Sequence, residues 1–95
     1  MDLEVAMLKA KDGDAAGLIK AMNEGGSAAL LSAPGCRSIK VLPGVENPDT
    51  VLFLVEWDSA DAHSAARTSP GFAKFREIAG PFFGTGGSMQ HFKAG

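Results

Sequence analysis

The sequence has little of several features that mark large classes of proteins. It contains a single cysteine, Cys36, so the chain cannot form an internal disulfide bond. None of its apolar runs approaches the roughly 20 residues that a helix needs to span a bilayer. Its first residues include Asp2 and Glu4, whereas a secretory leader has a basic segment before a long apolar core. These absences predict a cytoplasmic protein that does not enter a membrane.

Long runs of one charge sign and recognisable ligand motifs are also missing. Nine Lys and Arg residues are scattered among eleven Asp and Glu residues, whereas a nucleic-acid-binding protein usually shows a basic stripe. Two widely separated histidines and one cysteine form no metal-ligand spacing. The glycine-rich segment 84–87 lacks the lysine and the following helix of a phosphate-binding loop. We therefore expect no nucleic acid, no metal and no flavin or nicotinamide cofactor.

The pattern of apolar residues indicates one α+β domain over residues 1–95. Predicted strands cover residues 3–10, 36–42, 51–57 and 89–93, and predicted helices cover residues 15–33, 59–67 and 72–80. The first helix keeps its apolar phase across Gly25 and Gly26, so either one kinked helix or two shorter helices fit the pattern. This order is that of the ferredoxin-like βαββαβ fold, with an antiparallel sheet and both helices on one face.

The opposite face of such a sheet needs cover. Residues 3–10 and 51–57 supply apolar side chains to both faces of the predicted sheet, which is typical of strands buried on both sides. Helices cover one face only. We therefore expect a homodimer in which two copies place their sheets against each other.

Several short motifs occur along the chain in an order and at spacings typical of one protein family. They are Pro34-Gly35-Cys36, Asn47-Pro48-Asp49, Val55-Glu56-Trp57-Asp58-Ser59, Ala62-His63, Ser69-Pro70, and Phe72 with Phe75. In this order the set resembles the antibiotic biosynthesis monooxygenase domain over about the whole chain. The resemblance implies a dimeric α+β barrel with a cavity between each sheet and its helices. Members of that family include cofactor-independent monooxygenases of quinols and polyketide-type phenols, haem-degrading enzymes and a sugar-phosphate isomerase.

Haem is not expected. The haem-degrading branch uses an asparagine on the first strand and a histidine in the second helical region to hold iron. The first predicted strand here has no asparagine, and the predicted helix 72–80 has no histidine.

His63 and Arg67 are the candidate catalytic residues. Counting about 100° per residue from Ser59 places Ala62 and Ala66 on the inward side of the helix and His63 on its flank, at the rim of a cavity. A histidine with an ordinary pKa near 6.5 is suited to take a proton from a phenol. Arg67 could then hold the resulting anion. The alternatives are a half-exposed structural histidine and an arginine paired with a nearby acid.

The remaining candidates are aromatic or lie near the C-terminus. Trp57, Phe53, Phe72 and Phe75 are predicted to contact a small aromatic molecule, although an aromatic at the position of Trp57 more often lies in a core or dimer interface and the phenylalanines are core residues by default. His91 shares a strand face with Met89 and is a further candidate ligand contact. Cys36 lies at the start of a predicted strand without an adjacent histidine and is interpreted as a small buried apolar residue.

Two classes of function follow. The first is a cofactor-independent monooxygenase of a quinol or polyketide-type phenol, with His63 as the base. The second is a non-catalytic dimeric protein that binds a small ligand in the same cavity. A sugar-phosphate isomerase is a third reading, and it requires a cationic pocket drawn from Arg37, Lys40 and Arg67.

Overall fold

Four antiparallel strands form one sheet in the computed structural model, which describes residues 1–94. The strands are β1 (Asp2–Lys9), β2 (Cys36–Pro43), β3 (Thr50–Trp57) and β4 (Ser88–Lys93), in the order β2-β3-β1-β4. This order and the helical connections confirm the predicted ferredoxin-like βαββαβ fold. Of the predicted domain 1–95, only residue 95 lies outside the described residues.

The first connection is one helical segment with a kink. It comprises α1 (Ala15–Ala21), a π-helical turn (Met22–Gly26) and α2 (Ser27–Leu31). Asp14 caps its start, because the Asp14 carboxylate accepts a hydrogen bond from the backbone N–H of Gly17 at 2.9 Å. The continuous segment matches the kinked-helix alternative. Gly25 leaves helical dihedral angles at the point where the segment packs against Ile78 of the last helix.

The second connection contains two helices, α3 (Ala60–Ala66) and α4 (Pro70–Ala79). Each helix has a serine cap: Ser59 accepts from the backbone N–H of Ala62, and Ser69 accepts from the backbone N–H of Phe72. Pro70 occupies the first turn of α4, where a missing N–H costs nothing. These caps fix where α3 and α4 begin, and α3 starts only three residues after β3 ends.

The two faces of the sheet differ in burial. Along β3, the alternate residues Val51, Phe53, Val55 and Trp57 are buried beneath the helices, while the residues between them are half-buried. The prediction that β3 is buried on both faces therefore holds for one face of the single chain. The physical reason is that all helices pack on the same side.

The other face of the sheet carries a continuous apolar surface, here called the open face. Its apolar residues, from all four strands, are Leu3, Val5, Met7, Leu42, Leu52, Leu54 and Phe92. Met7 and Phe92 are 49% and 47% exposed in the single chain. The predicted homodimer would cover this surface and stays a prediction. No helix among residues 1–94 is long and apolar enough to cross a membrane.

Candidate functional site

A cavity of about 520 Å³ lies between the helix-covered face of the sheet and the two helices of the second connection. Its walls come from β1, β3, β4, α3, α4 and the segment before β4. The lining residues are Glu4, Ala6, Leu8, Phe53, His63, Arg67, Phe72, Phe75, Arg76, Phe83, Gly87, Ser88 and Met89. Three of the four aromatic residues predicted from the sequence, Phe53, Phe72 and Phe75, therefore line it.

Four side chains form what we call the polar cluster: Glu4 and His63 in the cavity wall, and Trp57 and His91 behind it. The Trp57 indole Nε1 donates a hydrogen bond to Glu4 Oε1 at 2.9 Å. The same Glu4 Oε1 lies 3.5 Å from His63 Nε2. On its other side, His63 Nδ1 lies 2.8 Å from His91 Nε2, at hydrogen-bond distance. Glu4, His63 and His91 are thus joined in a line.

The fold explains why these side chains meet. Glu4 on β1 stands opposite His91 on β4 in the sheet register, so both side chains project from the same face. Trp57 ends β3 on that face, and the short turn to α3 returns His63 over it. The His63 and Trp57 rings are stacked, with centroids 4.6 Å apart and planes inclined by 12°. Trp57 therefore fixes the position of both Glu4 and His63.

The burial of His63 corrects its predicted position on the flank of α3. His63 is only 4% exposed, and Ala66 is 2% exposed, whereas Ala62 is half-buried. The inward side of the helix is thus centred between His63 and Ala66. A helix of two turns with several alanines gives no clear apolar direction, and the stacking on Trp57 sets its rotation.

Burial changes the acid–base properties of the cluster. It lowers the pKa of His63 to about 4, with further lowering from the positive charges of His91 and Arg67. Burial also raises the pKa of Glu4 above its ordinary value, against smaller opposing effects of the Trp57 hydrogen bond, His91 and Arg67. At neutral pH the His63 imidazole is therefore neutral, and Glu4 is a stronger base than an ordinary glutamate.

Two arginines mark the side of the cavity that opens to solvent. Arg67 follows α3 and Arg76 lies on α4, and both are exposed and line the cavity. The Arg76 guanidinium lies 4.9 Å from the centre of the Phe72 ring. Arg37, which the sequence analysis considered for a cationic pocket, forms an ion pair with Asp58, with 2.6 Å between Arg37 Nε and Asp58 Oδ1. Arg67 and Arg76 are thus the cations placed to meet an anionic ligand.

Two other predicted contact residues lie behind the cavity wall. Trp57 has none of its surface exposed and is not among the lining residues, and His91 reaches the site through its contact with His63. Cys36 is half-buried, and burial together with the negative charge of Glu4 raises the pKa of its thiol to about 11. That thiol is protonated at neutral pH, as expected for a structural cysteine.

Glu4 is the site residue that sequence reasoning missed. It is 9% exposed, lines the cavity and contacts both Trp57 and His63. Its strand has apolar residues on both faces, and Glu4 lies on the same face of β1 as Ala6 and Leu8, which also line the cavity. A single carboxylate in that position was the available signal, because buried carboxylates are rare without a specific partner.

Comparison with known proteins agrees with this architecture. The model of the antibiotic biosynthesis monooxygenase family matches residues 1–78. A protein from Bordetella bronchiseptica, provisionally named an antibiotic biosynthesis monooxygenase, superposes with a TM-score of 0.87 at 21% identity, over 98% of this chain and 95% of that one. SnoaB, a cofactor-independent oxygenase from Streptomyces nogalater, has a TM-score of 0.77 at 17% identity, over 98% and 91%.

A third structure, provisionally named an antibiotic biosynthesis monooxygenase from Chloroflexus aurantiacus, has a TM-score of 0.72 at 24% identity and covers 99% of this chain and 94% of its own. Among the curated proteins, none matches the sequence. The structural likenesses show the fold, and the family model covers most of the sequence. The chain belongs to the antibiotic biosynthesis monooxygenase family.

Proposed function

We propose that the protein is a cofactor-independent monooxygenase of a small electron-rich hydroxyaromatic molecule, such as a quinol or a polyketide-type phenol. The observation that supports this most is a phenylalanine-walled cavity with a buried carboxylate–imidazole cluster in its lining. An apolar cavity with a few convergent polar groups is typical of small-molecule sites. The similarity to SnoaB, a cofactor-independent oxygenase, is consistent with the proposal.

The cavity suits a flat ligand of two or three rings. Its volume of about 520 Å³ lies within the range of roughly 300–1,000 Å³ of small-molecule pockets. Phe72 and Phe75 meet edge to face at 5.5 Å, and Phe53 and Phe75 do so at 6.3 Å. Such ring clusters offer both faces and edges to an aromatic ligand.

The proposed reaction begins with removal of a proton from the substrate hydroxyl at the polar cluster, where His63 is the predicted acceptor. The electron-rich anion then reduces oxygen directly. For a substrate whose keto tautomer has a CH₂ group, CH₂ and O₂ give a carbonyl group and water, so that the substrate supplies all four electrons. Arg67 at the cavity opening stabilises the anion that forms before oxygen reacts.

Oxygen uptake with a panel of naphthoquinols and hydroxyanthracenes tests this proposal. The wild-type protein is expected to consume oxygen with at least one of them, and His63→Ala is expected to lower the rate by about 100-fold because a base contributes about that much. Lys74→Ala, on the exposed side of α4, is the control and should leave the rate unchanged. Unchanged turnover in His63→Ala would remove His63 from the mechanism.

The binding-protein alternative uses the same cavity without turnover. It predicts that a quinol raises the melting temperature while no oxygen is consumed. The two arginines that line the cavity favour a ligand with an anionic group, so a sugar phosphate is a second candidate. An increase in melting temperature with sugar phosphates but not with naphthoquinols would support that candidate and contradict the oxygenase proposal.

A further inference from the structure

Three residues of the polar cluster connect the cavity to the edge of the sheet. Glu4 and His63 line the cavity, whereas His91 lies behind His63 on β4, which is an edge strand of the sheet and leaves His91 half-buried. The line Glu4, His63, His91 therefore runs from the cavity toward the sheet edge. Its steps are 3.5 Å and 2.8 Å.

From this geometry we infer that Glu4 accepts the hydroxyl proton of the substrate, and that His63 and His91 pass a proton from Glu4 to solvent. The inference rests on the proposed function and refines it, since His63 then receives the proton from Glu4 and not from the substrate. Glu4 is a catalytic residue in this scheme, and His91 acts only through His63.

The contacts favour Glu4 as the group that meets the substrate. Both nitrogens of His63 face protein atoms, Nε2 toward Glu4 and Nδ1 toward His91, so the imidazole has no nitrogen directed only at the cavity. Within residues 1–94, the contacts of Glu4 with Trp57 and His63 both use Oε1. The second carboxylate oxygen, Oε2, remains for a ligand hydroxyl.

The proton balance closes with the substrate, oxygen and water. At the start Glu4 is ionised, His63 donates its Nδ1 proton to His91 Nε2, and His91 carries its proton on Nδ1; these tautomers are assigned from the contacts. The substrate O–H bond breaks and an O–H bond forms on Glu4. That proton then moves to His63 Nε2, the Nδ1 proton of His63 moves to His91 Nε2, and the Nδ1 proton of His91 passes to water. When oxygen is reduced, the same path in reverse delivers one proton to the oxygen atom that leaves as water and restores the starting tautomers.

The charges around the line favour this direction. Burial holds the pKa of His63 to about 4, so His63 does not retain an extra proton, whereas the raised pKa of Glu4 makes it a better acceptor than an exposed carboxylate. Arg67, directly after α3, and Arg76 on α4 line the cavity, and their positive charge repels a proton from the histidines and favours its release. Lys93 lies on the His91 side of β4 and stands opposite Asp2 of β1, so these two charges offset each other.

A chromophoric hydroxyaromatic that does not react with oxygen, such as a dihydroxyanthraquinone, tests the first step by its absorbance. Bound to the wild-type protein, the dye is expected to donate its hydroxyl to the Glu4 carboxylate and, because of the like charge, to ionise at a pH at least one unit above that in Glu4→Gln. Glu4→Gln keeps an oxygen for the Trp57 hydrogen bond and removes this repulsion. Glu56→Gln removes the same charge from the open face and is the matched control. An equal ionisation pH in the wild-type protein and Glu4→Gln would overturn the inference.

The variant His91→Gln tests whether His91 releases the proton to solvent. Glutamine can still hydrogen-bond to His63 but cannot take up a proton, so turnover is expected to fall about tenfold or more. Added imidazole is expected to restore part of the rate in His91→Gly. Lys93→Gln, on the same strand, is the matched control. Wild-type rates in His91→Gln, or no rescue of His91→Gly by imidazole, would contradict the relay.

A third measurement needs neither a ligand nor a variant, because it determines which nitrogen of His63 carries the proton in the wild-type protein. Nitrogen chemical shifts of the wild-type histidines are expected to show neutral His63 with its proton on Nδ1 at pH 7, because that proton is donated to His91 and leaves Nε2 free to accept from Glu4. A proton on Nε2 of His63 would overturn the assigned line. Oxygen uptake that persists in Glu4→Gln contradicts the relay alone, whereas a Glu4-dependent ionisation of the dye in a protein that consumes no oxygen contradicts the oxygenase proposal alone.

Discussion

The buried imidazole of His63 has a measurable effect on stability. Its pKa is lowered to about 4 in the folded protein, whereas an unfolded chain has a histidine pKa near 6.5. Between these values the unfolded state binds more protons than the folded state. Stability is therefore lost as pH falls from about 6.5 to about 4. Glu4 acts in the opposite sense, because its raised pKa contributes stability at low pH that is lost as pH rises.

Urea unfolding at several pH values checks this expectation. The free energy of unfolding of the wild-type protein is expected to decrease on acidification, with a His63 contribution of up to about 3 kcal/mol near pH 4. His63→Phe keeps a ring on Trp57 and is expected to flatten the pH dependence. Equal slopes in the two proteins would show that His63 is not buried in its neutral form.

At the residue scale, the sequence indicated candidate site residues but did not define the contacts among them. His63, Trp57 and His91 were singled out because histidine and tryptophan are scarce in the sequence, and the structure brings the three side chains together. Their mutual contacts depend on the rotation of α3 and on the register of β4, which local patterns do not define. Glu4 was missed because a charge on a strand is ordinarily solvent-exposed.

At the scale of elements, the position of α4 depends on a glycine. A Cβ atom added at Gly71 would lie 2.8 Å from the carbonyl oxygen of Ala29 and 3.1 Å from the backbone nitrogen of Ala33. These are backbone atoms at the end of α2, so they cannot move aside as a flexible side chain would. The close approach of α4 to α2 holds Phe72 and Phe75 in the cavity wall.

Gly71→Ala is therefore expected to destabilise the protein by about 1–3 kcal/mol, even though alanine favours a helix more than glycine does. Gly80→Ala is the matched control, since Gly80 has helical dihedral angles and open space around it. That substitution should be neutral or stabilising by roughly 0.4–1 kcal/mol. Thermal and urea unfolding compare the two. A Gly71→Ala protein as stable as Gly80→Ala would mean that α4 and α2 are not in close contact.

Elements were predicted well where residue types punctuate the chain. Ser59 caps α3 close to the predicted helix start, whereas the last helix was predicted from residue 72 and begins at Pro70, with Ser69 as its cap. The π-helical turn at Gly25 could not be predicted from the sequence, which allowed either one kinked helix or two shorter helices. Packing against Ile78 decides between them, and that contact is distant in sequence.

For the whole molecule, the open face predicts a homodimer. Light scattering is expected to give about 20 kDa, twice the 9.8 kDa of one chain, because the apolar surface of the sheet needs cover. Leu42→Lys, on the open face, should shift the protein toward the monomer. Leu31→Lys, on α2, is the matched control because both leucines are 43% exposed. A 9.8 kDa particle for the wild-type protein, or equal effects of the two substitutions, would contradict the dimer.

The pairing of β4 with β1 makes the contact between His91 and His63 depend on alignment to a single residue. Side chains alternate between the two faces of a sheet, so shifting β4 by one position would turn Gln90 or Phe92 toward Glu4 and send His91 to the other side. Insertion or deletion of one amino acid in the turn 84–87 would therefore disconnect the inferred proton path while the hydrophobic core stayed intact. Under the proposed function, a single such event in evolution would separate a catalyst from an inert carrier of the same shape.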